Sequence, residues 1–113
     1  MRRFLLCDLP DVHQPVRDYL NEVERDYPST SYAMLLGVIE TLKVDGPFAA
    51  DCFPIGGNMW RLTTVIGFGR KANLVFTVLG SGDYFAVHGF TSSSKEEEAL
   101  GTAIGRARKV ALE

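Results

Sequence analysis

Apolar residues recur at Val12, Val16, Tyr19, Leu20, Val23 and Tyr27, with Asp18, Asn21, Glu22, Glu24 and Arg25 on the other side. This is the period of an amphipathic helix, and it predicts one over Asp11–Tyr27 with Asp11 as its N-cap after the Leu9-Pro10 break. Pro28 interrupts the pattern, and Ser29-Thr30-Ser31 offers a second cap. Tyr32, Leu35, Leu36, Ile39 and Leu42 then form another stripe, so a second helix is expected over Ser31–Lys43. Asp45-Gly46-Pro47 ends it, because Gly takes the left-handed closing conformation and Pro cannot continue a helix. So short a connection predicts an antiparallel helix hairpin.

From Met59 the period changes from helical to alternating. Trp60, Leu62, Thr64 and Ile66 fall on one face of a strand over Met59–Ile66, and Met59, Arg61, Thr63 and Val65 on the other. Gly67 to Lys71 reads as a turn, Asn73–Leu79 as a second strand, Gly80-Ser81-Gly82-Asp83 as a hairpin turn and Tyr84–Phe90 as a third strand. Simple alternation places His88 on one face with Tyr84, Ala86 and Phe90. Phe4 to Cys7 suits a first strand or a packed arm, and Cys52 to Ile55 a short edge segment. Ser94-Lys95-Glu96-Glu97 fits a capping box opening a last helix over Lys95–Leu112. Its acidic start and basic end suit the helix dipole. Ala99, Leu100, Ala103, Ile104, Ala107 and Val110 are expected to be its buried stripe. Gly101 and Gly105, four apart, permit close approach of a neighbouring element.

The fold class is therefore α+β: an N-terminal helix hairpin, an antiparallel sheet and a C-terminal helix in one domain spanning 1–113. Trp60, Leu62, Phe76, Val87, Leu20, Leu36 and Ile104 are the expected core.

Composition narrows the function. The chain has 113 residues, 46% apolar and 23% charged, which excludes a disordered chain. Its formal charge of −2 lacks the basic surplus of a free-standing nucleic-acid binder, so RNA contact requires a local basic patch. The two cysteines, Cys7 and Cys52, form no metal motif and read as buried thiols of a reducing compartment. The apolar run after Arg2-Arg3 is too short for a signal peptide, and no run would span a membrane, so a cytoplasmic location is expected. No metal, nucleotide or nucleophile-elbow motif is present, and no cofactor is expected.

The chemistry that remains lies on the strands. His88 has the residue type of a general acid or base at neutral pH, or of a structural histidine at a strand end. Arg61 stands alone in an otherwise uncharged strand, suited to clamping a phosphate or to pairing with a helix carboxylate. Arg70 and Lys71 lie in a Gly-rich turn, and Lys95 opens the last helix. Phe68 and Tyr84, near turns, are candidates for stacking on bases, with packing in the core or turn the default for each. His13 reads as a surface residue.

Several segments together resemble the RelE/ParE superfamily of toxins, in particular its HigB-like and phage-derived members. They are Leu42-Lys43-Val44-Asp45-Gly46-Pro47, Met59-Trp60-Arg61-Leu62, Ala86-Val87-His88-Gly89-Phe90 and Ala103 to Arg108. The resemblance runs from the first helix to the C-terminus, and His-Gly-Phe is its most specific part. It implies the toxin of a type II toxin–antitoxin pair, a metal-independent endoribonuclease that cuts ribosome-bound mRNA. The implied partner is an antitoxin of helix-turn-helix type. Arg61 and His88 match the family's catalytic strand residues; Lys71, Arg70, Lys95 and Tyr84 are the RNA-binding candidates. The chain departs from the family where a basic pair usually follows the Phe: here stand Thr91-Ser92-Ser93-Ser94 and then Lys95. Asn73 likewise stands where the family usually has an Arg. These departures keep open two alternatives: a non-catalytic phage or mobile-element protein that inhibits a host protein such as a topoisomerase, and an unrelated α+β regulatory or assembly protein.

Overall fold

The structure, a computed structural model, describes residues 2–7, 15–48 and 50–112. The cap at Asp11, the stripe residue Val12 and the surface position of His13 lie outside the described residues. The elements run β1 (Phe4–Leu6), α1 (Pro15–Asp26), α2 (Ser29–Asp45), β2 (Cys52–Gly56), β3 (Met59–Gly67), β4 (Arg70–Val78), β5 (Tyr84–Ser92) and α3 (Lys95–Leu112). The fold is α+β with the expected helix order. The strands form one sheet in the order β1-β5-β4-β3-β2. The central three pair antiparallel in chain order, as the alternation predicts, and β2 adds antiparallel at one edge. At the other edge β1 pairs parallel to β5, so the sheet is mixed. Among the described residues no helix is long and apolar enough to cross a membrane.

Helices α1 and α2 share one face of the sheet. Val16, Leu20, Val23, Leu35, Ile39 and Leu42 pack there against Leu62, Ile66, Leu74 and Phe76. α2 starts two residues earlier than expected and without a side-chain cap. Ser31 is buried, and its hydroxyl donates instead to the Ile66 carbonyl at 2.7 Å, tying the helix to β3. Leu36 is 39% exposed, because Leu35 and Ile39 take the inward positions. Trp60 is only half-buried, against Phe48.

α3 lies on the opposite face, and here the expected helix phase is wrong. Gly101 and Gly105 face the sheet: a Cβ at Gly105 would stand 2.8 Å from Val75, and one at Gly101 would collide with the Phe90 ring. Ala99, Ala103 and Ala107 point to solvent, as do Leu100, Ile104 and Val110, the last three 66%, 41% and 68% exposed. The physical reason is approach distance. Two glycines a turn apart let the helix backbone rest on Val75 and Phe90, which the larger apolar side chains would prevent. The capping box forms in part: Ser94 Oγ accepts from the Glu97 amide at 3.2 Å, while the Glu97 carboxylate accepts from the Ser93 hydroxyl at 2.7 Å.

Candidate anion-binding site beneath the last helix

A bulge in β5 decides which side chains reach the α3 face. Val75 pairs with His88 and Phe76 with Ala86, so Val87 is the extra residue and the alternation shifts there. Tyr84 and Ala86 therefore join the core under α1 and α2, while Val87, His88 and Phe90 lie on the α3 side. The expected common face of Tyr84 and His88 does not form. Tyr84 is 1% exposed, with its ring against Phe76, and is no surface for a base.

Each residue of the His-Gly-Phe segment now has a partner. His88 Nδ1 lies 3.0 Å from Arg108 Nη1 of α3, and its ring stacks on Phe90. Gly89 leaves room for the Tyr19 ring, which would otherwise press on a Cβ at 2.5 Å. Tyr19 also exchanges a hydrogen bond with Thr91 at 2.8 Å, and its burial raises its pKa. Phe90 packs against Gly101.

Arginine only donates, so His88 Nδ1 accepts and the proton of the neutral ring sits on Nε2. Burial, and then the Arg108 guanidinium, hold this histidine down to about 4 from its ordinary 6.5. At neutral pH it is an uncharged ring whose lone pair is already occupied.

At the other end of the face lies a polar network. Asn73 is fully buried, donates from Nδ2 to Ser92 Oγ at 2.9 Å, and accepts from Thr63 Oγ1 at 2.9 Å. Thr63 Oγ1 accepts from Arg61 Nε at 3.3 Å, and Arg61 Nη1 donates to Thr102 Oγ1 of α3 at 3.2 Å. Arg61 Nη2 stands 3.7 Å from one Glu98 oxygen, and Lys71 Nζ stands 4.0 Å from the other. Arg61 also lies over the Phe53 ring, 5.8 Å from its centre. Glu98 and Lys71 divide two small clefts: one of about 200 Å³ with Lys95 and Ser92 to Ser94, and one of about 360 Å³ with Arg61, Thr63 and Asp51.

Arg61, Val75 and His88 occupy one row across β3, β4 and β5. Two strand spacings, about 10 Å, separate the outer pair. Gly105 sits on Val75 between them, so α3 crosses the middle of the row, touching Arg61 on one flank and His88 on the other. Arg61 is brought together with Lys71, and Lys95 lines the adjoining cleft; His88 stands apart from all three. Arg70 leaves the group and donates to the Tyr27 hydroxyl at 3.1 Å. It borders a different cleft, of about 790 Å³, with Phe68 and the carboxylates of Glu22, Asp26 and Glu97. Phe68 is 78% exposed at its turn, with its ring 6.1 Å from that of Tyr27.

Glu98, Asn73 and Arg108 are the site residues missed in sequence reasoning as side chains of this face. The spacing of Glu98 and Arg108 around the two inward glycines is the signal that would have found them. Cys52 offers no nucleophile, since burial, followed by Asp51, pushes its thiol up to about 12. Among the described residues no group of three or more His, Cys, Asp or Glu could hold a metal ion. The chain matches no protein-family profile and no curated protein.

Proposed function

We propose that this protein is a toxin of the RelE/ParE kind, acting on ribosome-bound mRNA, and that the arrangement described above is its latent form. The observation that carries the reading is that one helix engages both candidate groups. Glu98 sits as an oxyanion between Arg61 and Lys71, and Arg108 occupies the lone pair of His88. A carboxylate held by a guanidinium and an ammonium marks a place that suits a phosphate. Lys95 and the hydroxyls of Ser92 to Ser94 extend that place toward the start of α3, where amide N–H groups favour an anion.

Cleavage by the RNA's own 2′-hydroxyl needs a proton acceptor, a proton donor and support for the phosphate charge. Arg61 and Lys71 supply the support, and solvent water gives the leaving 5′-oxygen its proton. His88 becomes a proton acceptor only when Arg108 withdraws, and Arg61 meets a phosphate only when Glu98 withdraws. A shift of α3 away from the sheet accomplishes both; docking on mRNA brings it about, and an antitoxin of helix-turn-helix type holds α3 down. The cytoplasm is the compartment this reading requires.

The test is expression from a tightly repressed promoter, with growth and mRNA integrity followed. Wild type arrests growth and cuts mRNA; His88→Ala and Arg61→Ala each lower cutting by about 10²–10⁴-fold while the protein stays folded. Intact mRNA at high wild-type expression rejects the catalytic reading. The second reading, a non-catalytic binder of a host protein on the same scaffold, is favoured by the engagement of both candidate groups by α3 and would then stand.

A further inference from the structure

We infer that the outward side of α3 is the interface of a homodimer, in which two copies of the helix pack antiparallel about a two-fold axis near Ala103. The observation is the inverted helix. Ala99, Ala103, Ala107 and Ala111 stand one turn apart and are all exposed, flanked by exposed Leu100, Ile104 and Val110. A surface helix on a monomer turns polar residues outward; an apolar outward stripe marks a contact. Alanines spaced by four form a low ridge that lets a second helix approach to about 8 Å, with the larger side chains closing the flanks.

Charge selects the occupant and its direction. Glu96 is exposed at the start of the helix on the side of Ala99 and Ala103, and Arg106 is exposed toward its end, where its guanidinium also donates to the Ile55 carbonyl. With the axis near Ala103, antiparallel packing sets Ala99 against Ala107 of the second copy and residues 96–100 against residues 106–110. Each acidic end then lies along a basic end, and the two helix dipoles oppose one another favourably. Parallel packing would set Glu96 of one copy beside Glu96 of the other. The surface is therefore complementary to itself, which is what a two-fold contact demands. A single pair of helices of about 27 Å gives an interface at the small end of stable dimers, with dissociation on the order of micromolar.

Sedimentation equilibrium of the whole chain tests this without reference to any activity. The expected mass is twice the 12.5 kDa of the chain at concentrations on the order of tens of micromolar. Ala103→Glu, at an exposed position on the axis, converts it to monomer with an unchanged circular-dichroism spectrum. Glu96→Lys weakens the dimer by about tenfold; adding Arg106→Glu brings the affinity back to within a few-fold. A wild-type monomer at that concentration overturns the proposal and leaves the face to a different protein. A dimer that survives Ala103→Glu, or a full charge exchange that fails to restore affinity in a folded variant, overturns it equally.

Discussion

Under α1 and α2 the sheet presents Leu62, Ile66, Leu74 and Phe76, and the helices meet it with Val16, Val23, Leu35 and Leu42. Under α3 it presents Arg61, Thr63, Asn73 and His88 beside a smaller apolar cluster of Met59, Val75, Val87 and Phe90, and the helix meets it with two glycines, Glu98, Thr102 and Arg108. The first contact is broad and apolar, so its strength scales with area removed from water. The second rests on close backbone approach and on hydrogen bonds that are satisfied only in one position of the helix. A sheet clamped by area on one side and by specific polar contacts on the other can release the second layer while keeping the first. The division of labour follows: α1 and α2 rest on the sheet through area, and α3 covers Arg61 and His88 through specific contacts.

The comparison breaks most visibly at Leu35. This residue is fully buried, and Leu35→Ala should lower stability by about 2–5 kcal/mol in urea unfolding. Leu36, beside it but 39% exposed, should lose less than about 1 kcal/mol on the same change. Equal losses at the two positions would contradict the helix phase.

Gly105→Val comes next. The new side chain would meet Val75, so α3 lifts off and stability drops by about 1–3 kcal/mol. Ala103→Val, outward on the same helix, should change the folding stability of the chain little. The measurement is the pair of thermal midpoints, and similar midpoints for the two variants would sink the close-approach account.

A smaller effect follows from pH. Unfolded, His88 takes up a proton below about 6.5; folded, only near 4. The unfolded chain thus binds more protons between these values, so this group lowers stability as pH falls from 6.5 to 4 and is silent above. Asp83 is held at about 2 instead of 3.8, chiefly by hydrogen bonds from Arg3. Its contribution is present above 3.8 and fades as pH falls toward 2, so the two windows do not overlap. His88→Asn should flatten the urea midpoint between pH 6.5 and 4. Identical pH slopes for variant and wild type would refute the assignment.

Glu98→Gln should move stability least, within about 0.5–1 kcal/mol, because the ion pairs it removes are long. Its effect belongs to binding. Arg61 and Lys71 lose their internal anion, and inorganic phosphate or a short single-stranded RNA should bind several-fold more tightly by calorimetry. Unchanged affinity would separate Glu98 from the anion site.

How much of this was legible in the sequence differs between the two layers as well. The stripes of α1 and α2 and the alternation of β3 could be read because apolar side chains there do face the core. The inverted α3 could not, since amphipathic reasoning sends Leu100, Ile104 and Val110 inward and gives glycine no face of its own. Nor could the bulge at Val87, which leaves no mark on composition yet separates His88 from Tyr84. Arg61 and Lys71 could be picked by residue type, and the pairing of Arg61 with a helix carboxylate was among the readings open to it. Which helix supplied that carboxylate depended on the glycine contact. The parallel pairing of β1 was beyond pattern reasoning, because three apolar residues carry no direction.

That first strand has a consequence for how the chain assembles. Phe4 pairs with Tyr84, and Arg3 binds Asp83 across a separation of 80 residues, with an ion pair at 2.8 Å. Local hairpins such as β3–β4 and β4–β5 need only short loops to close, but β1 has no partner until β5 exists. During synthesis, then, Phe4 to Leu6 leaves the ribosome before β5 and docks only once β5 has followed. The β5 edge is sealed only when β1 docks on it, and until then this edge is open to strands from other molecules.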